Sequence, residues 1–297
     1  MVGLISQTML TSTESMLNRG VLTSDLGLAL ALALFWGSTY PIIRVAGNPV
    51  SILIGRYVLA SIISIPMLIY IRSPLRGVGR KDLLLGSLAG VLNTGFVASM
   101  YYALLYIESG PVASIIYTYP LLILLISSII GYSSPSLGIL AGSALAFSGV
   151  VIIYTQANLE PLGVVLSMLA SMLFALSSII SSRISIDPNA LSALQNIAGL
   201  PIAVASYIAY TEYGDILRLD TISIIAIIHQ GVGASFLAYL AWFALLRRSL
   251  EVASSVVYVV PASSYLIAIP VAREYPEVQQ LAGLALIMLG IYIARRR

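Results

Sequence analysis

The stretch YYALLYIESGPVASIIYTYP (residues 101–120) returns 141 residues further on as WFALLRRSLEVASSVVYVVP (residues 242–261). The Ala-Leu-Leu triplet, one Ser, the Tyr and the closing Pro coincide, and Ile115-Ile116 lie over Val256-Val257. At the same offset GSALAFSGVVI (142–152) falls on GLALIMLGIYI (283–293), with both glycines in register. An offset of 139 sets Phe35, Ser38, Arg44 and Pro49 over Phe174, Ser177, Arg183 and Pro188. Apolar sequences match one another by chance, but a near-constant offset across separate segments points to a duplication.

Both copies are strongly apolar. The chain is 59% hydrophobic and 9% charged, with a mean hydropathy of +0.98; a soluble domain carries about 25% charged residues. A bilayer-crossing helix needs about 20 mostly apolar residues. Ten such runs follow one another: 26–45, 50–71, 83–107, 112–130, 137–154, 162–182, 190–211, 222–246, 252–271 and 278–294. Short turn-forming separators such as RSPLRGVGRKD and DPN lie between them. Residues 1–25 read as a cytoplasmic tail, residues 26–155 as a first five-helix repeat and 162–294 as a second. Five crossings is an odd number, so the second repeat runs through the membrane in the opposite sense. The fold class is therefore an all-α polytopic membrane protein, ten transmembrane helices as two inverted five-helix repeats. Inverted repeats are the architecture of secondary transporters, with the substrate site near the midplane.

Charge sets the expected orientation. With the N-terminus inside, the inner side holds Arg19, Arg72, Arg76, Arg80, Lys81, Arg183, Arg247, Arg248 and Arg295 to Arg297, against Arg44, Arg218 and Arg273 outside. That excess places both termini in the cytoplasm of a multi-pass protein of the cell membrane. The chain has no Cys and one His, and all twelve acidic residues fall outside the runs. No metal site, cofactor or catalytic constellation is expected, and no enzyme activity. Nor is a channel filter visible. The basic residues cap apolar runs and form no nucleic-acid footprint. The expected partners are the lipid bilayer and a small-molecule substrate, with room for a coupled proton or ion; monomer and homodimer both stay open.

Several residues interrupt the apolar runs in ways that suggest a solute path. Gly37-Ser38-Thr39 lets a neighbour approach closely and Pro41 breaks the hydrogen-bond ladder, while Trp36 and Tyr40 share one face. Pro120 and Pro261 free the carbonyls of Ile116 and Val257 and are read as hinges of gating bends, or else as bends between packed helices. Tyr117 and Tyr258 precede them by three residues, and Tyr265 continues that face. Asn93 and Tyr101 on span three, and Gln230 and Trp242 on span eight, recur with small residues at helical spacing. They face a cavity or bond a neighbouring helix. Arg56 is the charge well inside a span; it snorkels outward as an anchor, or stays in the bundle to pair with backbone carbonyls or a substrate carboxylate. His229 points about 140° away from Ala234 at 100° per residue and reads as a hydrogen-bonded packing residue, not a proton carrier.

With these residues assembled, the chain resembles the drug/metabolite transporter superfamily, specifically its ten-span EamA-type exporters. Phe35-Trp36-Gly37-Ser38-Thr39 is similar to the family's first-span motif, and Arg56-Tyr57 to a motif near the outer end of its second. Pro261, the turn AREYPEV with Glu274, and Gly283 with Gly290 are similar to the close of each half. In the first half Ser133 stands where that acid would be. The resemblance implies alternating access around a cavity drawn from spans one, three, four, six, eight and nine. Mapped here it implies Trp36, Tyr40, Asn93, Tyr101, Tyr117, Gln230, Trp242, Tyr258 and Tyr265, with Arg56 as a further contact. With no acid inside a span and one buried Arg, neutral or zwitterionic amino acids are the expected substrates. The alternative is a broad exporter of drugs and lipophilic cations, held by aromatic faces.

Overall fold

A computed structural model describes residues 27–70, 78–132, 136–156, 159–211, 220–248 and 259–295. The tail over 1–25 and the candidate Tyr258 lie outside them. Among the described residues every regular element is a helix. They run α1 Gly27–Ala46, α2 Pro49–Tyr70, α3 Arg80–Tyr106, α4 Ser109–Ile129 and α5 Leu137–Gln156. The second set is α6 Pro161–Ser181, α7 Pro188–Thr211, α8 Thr221–Leu246, α9 Val259–Ala272 and α10 Val278–Arg295. Eight are long and apolar enough to cross a bilayer, and α9 and α10 are shorter apolar helices. The fold class read from the sequence is the one observed.

The glycines of the repeat show how the halves meet. A Cβ on Gly142 of α5 would lie 2.2 Å from the Gly290 carbonyl of α10, and one on Gly149 would lie 2.5 Å from that of Gly283. Because Gly142 and Gly149 are the repeat mates of Gly283 and Gly290, exchanging the halves maps this contact onto itself. Other contacts come in exchanged pairs too: α3 on α7 with α8 on α2, and α4 on α6 with α9 on α1. The bundle thus has the pseudo-two-fold arrangement of an inverted repeat.

Burial follows membrane logic. On α6, Ser167, Ser171, Ser177, Ser178 and Ser181 are buried, while Leu162, Val165, Met168, Leu169 and Met172 face outward. Lipid is as apolar as Leu, so helices associate through small and hydroxyl residues and leave their bulky faces to the acyl chains. Some buried hydroxyls are satisfied within their own helix, as where Ser167 donates to the Gly163 carbonyl at 2.8 Å, and others across helices, as where Ser177 donates to the Ala89 carbonyl at 2.8 Å.

Among the described residues three spans depart from regular α-winding, and all three reach the centre. α1 turns at Ser38, whose hydroxyl donates to the Leu34 carbonyl. α4 breaks at Tyr117–Thr118 and restarts at Tyr119, because Pro120 has no N–H to continue the ladder. The Thr118 hydroxyl donates to the Ile115 carbonyl at 2.8 Å, one residue before the carbonyl that Pro120 frees, and Ser171 of α6 lies 3.0 Å from that hydroxyl. α8 is π-wound over His229–Leu237. In α9 the described helix begins at Val259, which puts Pro261 in its first turn, and Val257 lies outside the described residues.

Candidate functional site

Where these irregular segments meet, α1, α2, α3, α4, α6 and α8 surround a void of about 20 Å³, near the space one water takes. Its walls are Trp36, Thr39 and Tyr40, Arg56, Phe96 and Met100, Ile116, Tyr117 and Tyr119, Phe174, and Ala234 and Tyr239. Trp36 stands at the middle of the aromatic wall, with ring centroids 5.3 Å from Tyr239, 5.9 Å from Phe174 and 5.8 Å from Trp242. Phe174 lies 4.6 Å from Tyr119 and 4.7 Å from Phe96. These are favourable ring separations, so the walls hold one another closed. A solute of amino-acid size fits only when they part.

The local sequence explains how α1 supplies two of these walls. At Gly37 a Cβ would lie 2.0 Å from Ser263 Oγ and 3.3 Å from the Val260 carbonyl, so only Gly lets α9 approach this closely. The Ser263 hydroxyl lies 2.9 Å from the Ala33 carbonyl. With α1 pinned from that side, Trp36 and Tyr40 turn toward the centre, where Trp36 Nε1 donates to the Ala234 carbonyl at 3.1 Å.

Arg56 stays in the bundle at 2% exposure. Its Nη1 donates to the Tyr101 hydroxyl at 3.1 Å, and its guanidinium carbon lies 5.7 and 5.9 Å from the Tyr57 and Tyr101 ring centres. Its Nε has no hydrogen-bond partner, and among the described residues no carboxylate pairs with it. An uncompensated buried charge costs several kcal/mol, an expense typical of functional charges inside membranes.

The other sequence candidates divide by position. Trp36, Tyr40, Arg56 and Tyr117 line the void. Asn93, Tyr101, Gln230 and Trp242 stand behind the wall as braces. Asn93 accepts from the Tyr239 hydroxyl at 2.5 Å, and Gln230 accepts from Tyr101 at 3.0 Å and Thr39 at 3.2 Å. Tyr265 is not brought to the void: its ring packs over Gly110 and its hydroxyl lies 3.3 Å from Ser114 Oγ. Sequence reasoning missed Tyr119, Phe174 and Tyr239, and with them Phe96 and Met100 of span three. Phe174 carried one signal, as the repeat mate of Phe35.

His229 is hydrogen-bonded, as expected, to Ser38 and Gln230, but the π-winding of α8 changes the side on which it lies. Hydrogen bonds from i to i+5 turn each residue by about 80° instead of 100°, which swings His229 round toward the side of Ala234. Both residues then address α1: Ala234 through Trp36, and His229 through Ser38 Oγ at 2.9 Å.

The two ends of the bundle differ. At one, Arg44 Nε lies 3.5 Å from Glu274 Oε1, and Glu274 Oε2 accepts the Ser109 N–H at 3.0 Å. Arg44 Nη1 also donates to the Leu104 carbonyl, and Gln280 donates to Glu108 at 3.1 Å. Burial pushes the Glu274 carboxyl above the ordinary carboxylate range; the Ser109 hydrogen bonds and Arg44 pull the other way, and Glu108 adds to the rise. This network ties α1, α3 and α4 to the α9–α10 turn. At the other end a cleft of about 360 Å³ is lined by Ser181, Ser182, Ser185, Pro188, Phe243 and Leu246 among others.

Comparison with known proteins agrees with this architecture. The model of the EamA-like transporter family matches twice, over residues 24–155 and 161–296. The uncharacterized inner membrane transporter YedA of Escherichia coli (strain K12) is 27% identical, covering 90% of this chain and 91% of its own. An uncharacterized transporter of Archaeoglobus fulgidus is 27% identical over 68% of this chain and 75% of its own; a second is 24% identical over 92% and 98%. One solved crystal structure, 16% identical, superposes with a TM-score of 0.66 over 92% of this chain and 96% of its own, a likeness of fold.

Proposed function

The chain belongs to the EamA-like transporter family and is a multi-pass membrane transporter, and from that premise we propose that it carries neutral or zwitterionic amino acids by alternating access. One observation carries the choice of substrate: Arg56 is buried at the void with no carboxylate partner among the described residues. A guanidinium of this kind matches a substrate carboxylate. The aromatic faces of Trp36, Tyr119 and Tyr239 match an ammonium group and an apolar side chain. The same rings would suit a lipophilic cation, but the Arg56 charge in the same wall repels one.

The closed Arg44–Glu274 end and the cleft at the other end support alternating access, with the break at Tyr117–Thr118 as a hinge beside Pro120. Pro261 is proposed as its counterpart in the second repeat. The excess of Arg at the cleft end supports cytoplasmic termini, which makes this an inward-facing arrangement.

Counterflow in proteoliposomes tests the reading. Vesicles loaded with one neutral amino acid should take up trace label saturably, and Arg56→Gln should lower that uptake at least tenfold. Exchange of lipophilic cations with none of amino acids would overturn it.

A further inference from the structure

A chain of hydrogen bonds leads from Arg56 to α1, and its donors all point one way. Arg56 Nη1 donates to the Tyr101 hydroxyl at 3.1 Å, which donates to Gln230 Oε1 at 3.0 Å. The Gln230 amide nitrogen lies 3.0 Å from His229 Nδ1, and His229 Nε2 lies 2.9 Å from Ser38 Oγ. Ser38 gives its one proton to the Leu34 carbonyl, so it accepts from the ring, which places the ring proton on Nε2. An amide nitrogen only donates, so Nδ1 is an acceptor. His229 is thereby a neutral imidazole whose basic nitrogen faces the amide that holds Tyr101.

We propose that His229 Nδ1 is the site of a coupled proton, linked to substrate at Arg56 through Gln230 and Tyr101. This rests on the reading of Arg56 as the carboxylate site. An excess proton taken up from the aqueous phase onto Nδ1 turns that atom into a donor, and Gln230 must then present its oxygen. The amide nitrogen now faces Tyr101, whose hydroxyl accepts from it and frees its own proton to point toward Arg56 and a carboxylate there. An anion at Arg56 in turn offsets the second positive charge. Both effects have the same sign, so by linkage substrate and proton favour each other's binding. The pair then crosses together, in one direction, as cotransport.

The surroundings leave Arg56 as the controlling charge. The π segment packs on α1, α2, α7 and the flanking turns of α8. From these come Tyr40 on α1, Arg56 and Tyr57 on α2, and Tyr239 on α8, while α7 contributes the uncharged Asn196, which donates to the Ser235 carbonyl at 3.5 Å. Arg44 is engaged by Glu274, and Asp220 is engaged by the Ser223 N–H at 2.7 Å. Among the described residues, Arg56 is the charge joined to the ring by hydrogen bonds, through Tyr101 and Gln230.

The chain has one histidine, so nitrogen NMR of the ¹⁵N-histidine-labelled protein in nanodiscs gives one imidazole to follow. The Nε2–H tautomer is expected at high pH, and proton affinity should rise at least tenfold in Arg56→Gln. Should that variant not fold, Tyr101→Phe, which frees Gln230 to turn, should raise it as well. An Nδ1–H tautomer, or a titration that neither variant moves, overturns the proposal, and these readouts need no substrate. In proteoliposomes, an inward proton gradient should drive accumulation of an amino acid that exchanges in counterflow. The ratio of accumulation to counterflow should fall at least tenfold in His229→Gln; a parent that does not respond to the gradient overturns the coupling. Failure of every amino acid to exchange would instead count against the substrate reading.

Discussion

Arg44 of the first repeat and Glu274 of the second close one end of the bundle, Nε to Oε1 at 3.5 Å, and the same carboxylate receives the first N–H of α4 from Ser109. Glu274→Ala removes both interactions and leaves a buried N–H without its acceptor. The cost is about 1–2 kcal/mol, a shift of about five- to thirtyfold in the closed-to-open ratio. The chain has no Cys, so a single Ser114→Cys reporter, fully buried just inside this end, reads the change. A membrane-impermeant maleimide should label it several times faster in the Glu274→Ala background.

The pH dependence of the same end has a defined sign. Burial raises the Glu274 carboxyl above its ordinary value despite the Arg44 pair, so ionising it weakens the fold, and the extra stability of the neutral form is fully present below that ordinary value. It is lost as pH rises through the raised one. The thermal midpoint of the parent should fall across that window. Glu274→Gln, which keeps an acceptor for Ser109 and carries no charge, should flatten this part of the profile. A parent profile that matches Glu274→Gln at every pH would refute the assignment.

The contact of α5 with α10 predicts a large effect from a small change. In Gly142→Ala the new methyl would meet the Gly290 carbonyl at 2.2 Å and the Ala294 nitrogen at 2.7 Å. Both atoms belong to backbone that cannot rotate away, so the helices must separate at a cost of about 1–3 kcal/mol. The midpoint of thermal unfolding in detergent should drop by several degrees. Gly27→Ala, which meets nothing within 4 Å, should leave it unchanged.

Phe174 touches four other rings of the central wall. Phe174→Ala should open space at the void and favour bulkier apolar amino acids over small ones. A discrimination on the order of tenfold is expected for a change of this kind in an apolar pocket. Counterflow with paired labels measures it directly, and an unchanged preference would remove Phe174 from the site.

What the sequence determined by itself was the membrane, the duplication and the inversion. Length and apolarity of each run specify a spanning helix, because lipid offers no partner to an open backbone. The parity of five-span units then inverts the second copy, and the glycines at 142, 149, 283 and 290 keep the two copies in register. Trp36, Tyr40, Arg56 and Tyr117 were legible because each interrupts an apolar run with a group that lipid rejects.

Tertiary structure alone decided the rest. Tyr119, Phe174 and Tyr239 are ordinary membrane aromatics in sequence, and become a wall only where α4, α6 and α8 converge. Tyr265 shares the aromatic pattern of Tyr117 yet packs on Gly110, away from the void. His229 is the sharpest case: a regular helix turns it from Ala234, and nine residues of π-winding turn it back onto Ser38 and Gln230. The reason is common to all three. Helical periodicity assigns a residue to a face, but which partner that face meets depends on the winding and on contacts between helices far apart in the chain.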